Sequence, residues 1–294
     1  MKPEHVLSGF QPDSRGHDGL TLAVLLARQA GARLTVATIQ PPPWTTPGPA
    51  KAEESAWLAF LNEQVEAGFE QARKLAGDEA EYVVHYNRGS GRGLVEVARS
   101  ADDDLVVIGS GPRGRKGNIS LGSTADQLLH ASPVPVLLAP NGYAEQAPRR
   151  IERLTVAYRR SPGCDAALAS AVELAAALDA PLRLVTLVVG AGRAKIEQRM
   201  LDGLRAQAMT DLEKAARGWE PEAAIETLAG RNVAQAMDGT SWLDGELIIV
   251  ASSSSGPLRR VFLGDTSVKI IRVAPRPVLV LTRQPGGSRQ TVTK

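Results

Sequence analysis

At 294 residues the chain is long for one domain and suits two. Hydrophobic residues make up 43% and charged residues 22%, the balance of a soluble globular protein, while aromatics at 4% leave the cores to Ala, Val, Leu and Ile. A net charge of +2 argues against nucleic acid or an anionic membrane as the main partner; one cysteine, Cys164, excludes an internal disulfide; and no window reaches the ~18 apolar residues of a membrane span, so a cytoplasmic protein without a signal peptide is expected.

In chain order, residues 6–10 are a short strand candidate, and 18–30 follow as a helix with Leu20, Ala23, Val24 and Ala27 at helical spacing. Residues 34–39 are a strand, 52–76 a long helix carrying Leu58, Leu61, Val65 and Phe69, 82–86 a strand and 91–100 a short helix. Residues 105–108 are a continuous apolar run, as in a buried parallel strand. Residues 122–131 form a helix and 134–139 the last strand of this half. The polar segment 141–150, with Gly142 and Pro148, reads as a linker. The pattern then repeats: strands at 154–158, 182–189, 225–229, 247–250 and 278–281, and helices at 164–178, 194–217, 233–242 and 265–273.

The repetition extends to the residues themselves. "ADDDLVVIGS" from 101 parallels "LDGELIIVAS" from 243, and "LGSTADQLLHASPVPVLLAP" from 121 parallels "LGDTSVKIIRVAPRPVLVLT" from 263, both at an offset of 142. Nearer the start the offset is 148, and the Pro-rich stretch 41–49 is a place for the difference. A period this long means a duplicated domain, expected over 1–146 and 147–294. Five strands alternating with four helices in each half imply right-handed crossovers and a parallel sheet with helices on both faces. Ligands in such folds bind outside the carboxyl ends of the strands.

One loop there carries anion-binding chemistry. A buried strand ends at Gly109, a glycine-rich stretch follows, and a helix opens at Gly122-Ser123-Thr124. Gly111 and Gly114 let backbone N–H groups approach an anion, a helix start offers unpaired N–H groups, and Ser110, Ser123 and Thr124 add hydroxyls. Arg113, Arg115 and Lys116 add positive charge. The same residues also suit plain turn geometry, helix capping and a solvated loop.

This segment resembles the nucleotide loop of the universal stress protein family, in which Gly, two residues, Gly and nine residues precede Gly and a hydroxyl residue. Gly109 and Gly122 have the separation of 13, Ser123 follows, and Pro112 replaces the middle Gly. The resemblance covers both halves and implies two tandem flavodoxin-like, Rossmann-like domains, each a five-stranded parallel sheet of order 3-2-1-4-5. It also implies association through the last strand, which a tandem chain can satisfy internally between 134–139 and 278–281. A monomer with an internal pseudo-two-fold and a homodimer of such chains both fit. Family members that bind ATP resemble one another in an Asp near the end of the first strand. Phe10 and Tyr158 stand there instead, either to stack on an adenine-like ring or to pack between sheet and first helix. Asp13 lies three residues beyond Phe10.

The second loop departs further, with Ala251, Ser254 and Asp265 at the three marked positions. Asp265 suits an N-cap, worth about 1 kcal/mol, but sets negative charge where a phosphate would sit. An adenine nucleotide, ATP first, is therefore the candidate cofactor of the N-terminal half only. The leading reading is a stress-response regulatory or binding protein without catalysis; the alternatives are a scaffold acting through protein partners and a weak ATPase. The four histidines lack metal-ligand spacing, Asp102–Asp104 reads as a solvated turn, Cys164 as structural, and the tail 284–294 as disordered.

Overall fold

The computed structural model describes residues 1–43, 51–190, 195–219, 223–252 and 265–281. The Pro-rich stretch beyond residue 43, the second glycine-poor loop from 253 to 264 and the tail lie outside the described residues. Eight α-helices and ten strands are described. The first half runs β1 (His5–Gly9), α1 (Ser14–Ala30), β2 (Arg33–Gln40), α2 (Lys51–Ala76), β3 (Glu81–Tyr86), α3 (Ser90–Ser100), β4 (Leu105–Ile108), α4 (Ser123–Ala131) and β5 (Val136–Leu138). The second runs β6 (Arg153–Ala157), α5 (Pro162–Leu178), β7 (Leu182–Val189), α6 (Lys195–Ala216), β8 (Ala224–Gly230), α7 (Val233–Asp238), β9 (Glu246–Ala251), α8 (Asp265–Val273) and β10 (Val278–Leu281).

All ten strands form one sheet, in the order β3-β2-β1-β4-β5-β10-β9-β6-β7-β8. Each half is parallel and Rossmann-like; a flavodoxin-like sheet would place its second strand at the edge, in the order 2-1-3-4-5. The halves meet antiparallel, with Leu137 opposite Leu279 and Leu138 opposite Val278. Period-two alternation sends successive side chains to opposite helical layers. Leu105 and Val107 pack with Leu22 and Leu26 of α1 and Leu168 and Leu174 of α5. Val106 and Ile108 pack with Leu94 of α3, Leu128 and Leu129 of α4 and Ile270 of α8. Both layers cross the seam, so the two halves share their core.

Several boundaries differ from the expected ones. Helix α1 begins four residues early because Asp13 caps it, its carboxylate accepting the Gly16 N–H at 2.8 Å. Asp18, expected at the helix start, lies inside it and is 2% exposed. Its carboxylate accepts the N–H groups of Gly142 and Ala144, both at 2.8 Å. The segment read as a linker is therefore tied down: Tyr143–Gln146 is a 3₁₀ turn, and Tyr143 is buried in the shared core. Gln29 of α1 completes the anchor, accepting the Ile151 N–H at 2.7 Å and donating to the Leu178 carbonyl at 2.6 Å. Helix α7 stops at Asp238, where Gly239 follows.

The Asp102–Asp104 turn is only partly solvated. Asp102 takes the left-handed conformation (φ 52°), and Asp104 accepts the N–H groups of Glu4 and His5. Asp103 is 3% exposed, and neither carboxylate oxygen has a partner among the described residues. Burial, reinforced by the charges of Asp104 and Glu81 and opposed by His5, pushes its pKa up to about 6. The folded state thus holds this proton more tightly than the unfolded state does, so stability falls as pH rises from 3.8 through about 6. Asp103→Asn is expected to add ~1–3 kcal/mol at pH 7 and to flatten that slope. Urea unfolding at pH 4.5 and pH 7 checks it; a wild type as stable at the higher pH as at the lower would refute it.

The second half carries a buried ionic network at the amino ends of its strands. Glu246 (0% exposed) accepts from Arg183 Nη2 at 2.7 Å, from Arg153 Nη2 at 2.6 Å and from the Thr155 hydroxyl. Arg183 (4% exposed) also donates from Nε to Thr155 at 3.0 Å, reaches Glu226 at 3.2 Å, and lies 4.6 Å over the Trp242 ring. Removal from water weakens the Arg183 charge first, and Glu246 opposes that effect.

Candidate functional site

The chain leaves β1 and β4 at the carboxyl edge of the first half, and between these exits opens a cleft of about 920 Å³. It is walled by the segment after β1, the start of α3, and most of the loop from Gly109 to the start of α4.

Two close approaches give the loop its glycines. A Cβ on Gly109 would stand 1.9 Å from the Arg15 carbonyl oxygen, so the start of α1 presses on the end of β4. A Cβ on Gly111 would stand 2.8 Å from the Gly122 nitrogen, because the two ends of the loop touch. Between them the loop ties itself. Gly111 N–H donates to the Ser120 carbonyl at 2.6 Å, and Ser120 N–H donates to the Ser110 hydroxyl at 2.8 Å. The Asn141 side chain donates to the Gly114 carbonyl at 2.8 Å. Lys116 is drawn away to Glu145.

The structure brings Phe10, Gly109, Ser110, Gly111, Arg113, Gly114, Gly122, Ser123 and Thr124 to this one cleft. Their surroundings differ. Ser110 is 3% exposed and acts as an internal strut. Thr124 pairs its hydroxyl with that of Ser90 on α3 at 2.6 Å. Ser123 is exposed at the first position of α4. Phe10 is 2% exposed and packs with Leu20, Val36 and Phe69, its ring stacked on His17 at 5.8 Å, which is the packing alternative of the two offered above. Tyr158 does the same in the second half, buried beneath α5 with its hydroxyl donating to Asp165 at 2.7 Å. Burial, then that hydrogen bond, pushes the Tyr158 phenol up.

Capping differs among the helix starts. Asp13, Ser161 and Asn232 cap α1, α5 and α7 with side-chain oxygens. Gly89 and Gly122 precede α3 and α4 and offer none. In the first turn of α3 the Arg92 N–H donates to the Gln127 side chain at 3.2 Å, whereas among the described residues no side chain caps the start of α4, which favours an anion there. Arg113 and Arg115 are exposed and pair with no carboxylate among the described residues. Asp13 is the one carboxylate among the described residues lining the cleft, and it is committed to Gly16 and Arg15. The apolar part of the lining is Ala37, Ile39, Leu94 and Ile108, which pack together.

Sequence reasoning missed those apolar residues and Arg272, which lines the cleft from the second half of the chain. In the second half, Asp265 is the first residue of α8 and turns to Lys269 at 2.5 Å instead of standing one position earlier as a cap. No described helix is long and apolar enough to cross a membrane.

A profile of the universal stress protein family matches residues 3–140 and 150–282. Universal stress proteins of Mycobacterium tuberculosis and Mycobacterium bovis are 35% identical to this chain, over 94% of it and 99% of their own length. Among solved structures, a universal stress protein from Archaeoglobus fulgidus superposes with a TM-score of 0.63 at 19% identity, covering 97% of this chain and all of that one (100%). A protein described as functionally unknown, from Pseudomonas aeruginosa, superposes with a TM-score of 0.55 at 14% identity, covering 96% and 93%. These likenesses carry the fold.

Proposed function

This chain belongs to the universal stress protein family, and we propose that it is a stress-response binding protein whose N-terminal half, 1–146, takes an adenine nucleotide, ATP first. The observation that carries this reading is the mixed lining of the cleft. One part is apolar, at Ala37, Ile39, Leu94 and Ile108; another pairs the uncapped start of α4 and exposed Ser123 with the unpaired Arg113 and Arg115. A flat aromatic base suits the first part, and phosphates suit the second. The second half, 147–294, serves as the structural partner that covers the β5 edge, since an open edge invites aggregation. The protein acts through ligand-dependent association and not through turnover: the cleft's carboxylate, Asp13, is bound to Gly16 N–H and Arg15, leaving it poorly placed to activate water.

Titration calorimetry with ATP tests this. Saturable binding at one site per chain is expected. Ser123→Ala removes one hydroxyl from the polar part of the lining and is expected to weaken binding roughly fivefold, the worth of about 1 kcal/mol. Asp265→Ser is expected to leave the stoichiometry unchanged. Absence of heat and of any copurified nucleotide would make the chain a scaffold.

A further inference from the structure

The cleft of the first half is not built by the first half alone. Arg272, in the last turn of α8, also lines it. The topology explains how a residue of the second half arrives there. Because β5 and β10 run antiparallel, with Leu138 opposite Val278, the carboxyl end of β5 lies beside the amino end of β10. The chain enters β10 from α8, so the last turn of α8 sits at the ligand-binding edge of the other half.

Arg272 is exposed and pairs with no carboxylate among the described residues. Its basic neighbours are committed elsewhere, Lys269 to Asp265 and Arg276 to Asp244. Arg15 of the cleft is likewise held by Asp13. Among the described residues the lining therefore presents three unpaired guanidinium groups, Arg113, Arg115 and Arg272, and no uncommitted carboxylate. An excess of guanidinium over carboxylate in a partly enclosed cleft selects for ligands of high negative charge. The duplication is also asymmetric here. At the 142-residue offset, the first-half counterpart of Arg272 is His130, whose Nδ1 lies 2.7 Å from the Asp126 carbonyl oxygen.

We propose that Arg272 is a specificity-determining residue, supplied by the second half to the first-half cleft, that makes the site discriminate among ligands by the length of their phosphate chain. This rests on the reading that the cleft takes phosphate groups. Arg113 and Arg115, on the loop itself, meet the phosphates near α4, and Arg272, across the seam, meets the distal charge of a longer chain. Each guanidinium offers a planar fork of donors to phosphate oxygens. Ligand binding then bridges both halves, so a distortion of the β5–β10 seam reaches the site directly.

The test is calorimetric titration of the full chain with AMP, ADP, ATP and inorganic tripolyphosphate in EDTA. Affinity is expected to rise from AMP to ATP. Arg272→Ala is expected to weaken ATP and tripolyphosphate about tenfold while leaving AMP within about twofold. Arg272→Lys should restore part of the loss, and Lys269→Ala, on the same helix outside the cleft, should change nothing. Equal binding of ATP and tripolyphosphate by wild type and Arg272→Ala overturns the proposal. Tripolyphosphate binding that depends on Arg272, with ATP binding no better, supports it and defeats the nucleotide reading. No binding of any of the four by the wild type overturns both.

Discussion

Glu246→Ala is expected to cost about 3–5 kcal/mol of stability, as measured by urea unfolding at neutral pH. The carboxylate is fully buried and takes two arginines and a hydroxyl, so its removal strands Arg183 with most of its solvation lost. What remains around Arg183 is weaker. Glu226, at 3.2 Å, is 40% exposed, and the Trp242 face gives a cation–π contact of order 1 kcal/mol. The penalty comes from the charge left behind, so it should largely vanish when both charges go. Arg183→Met with Glu246→Leu is expected to lie within about 2 kcal/mol of wild type, the usual outcome when a buried pair is replaced by apolar groups of similar volume. A single variant that loses less than about 0.5 kcal/mol would show that the network is dispensable.

Leu279→Ala is expected to destabilise both halves together, by about 2–5 kcal/mol. Leu279 is 1% exposed and sits opposite Leu137, itself fully buried, at the centre of the seam. Its cluster holds Leu22 and Leu26 of the first half and Leu168 and Leu174 of the second. A cavity there removes contacts from both, and relaxation on one side is resisted by the other. Circular dichroism and tryptophan fluorescence should report one coincident transition in the wild type and in the variant. Two separated transitions in the wild type would show that the halves are energetically independent despite the shared sheet.

Much of this architecture was legible locally. The apolar run at 105–108 and the helical spacing of Leu20, Ala23, Val24 and Ala27 mark strand and helix because backbone geometry imposes those periods on any buried face. The duplication showed in the repeated residues, and the glycine-rich stretch from Gly109 to Gly122 located the cleft. Those features depend on residues close together in the chain. Helix limits were less legible. Asp13 starts α1 because its carboxylate meets Gly16, whereas Asp18, an equally good cap by type, faces Gly142 and Ala144.

The sequence by itself determined the element types, the doubling of the domain and the loop that walls the cleft, since each is written in short-range pattern. Only the tertiary structure decided which charged residues are buried and which meet across the seam. Asp103 and Asp104 are adjacent, yet one is sealed without a partner among the described residues and the other receives two backbone N–H groups. Glu246 finds Arg153 and Arg183, and Arg272 reaches the cleft of the opposite half, through strand neighbours far away in the chain. Strand order and the antiparallel seam create those encounters, and no local periodicity encodes which strands become neighbours.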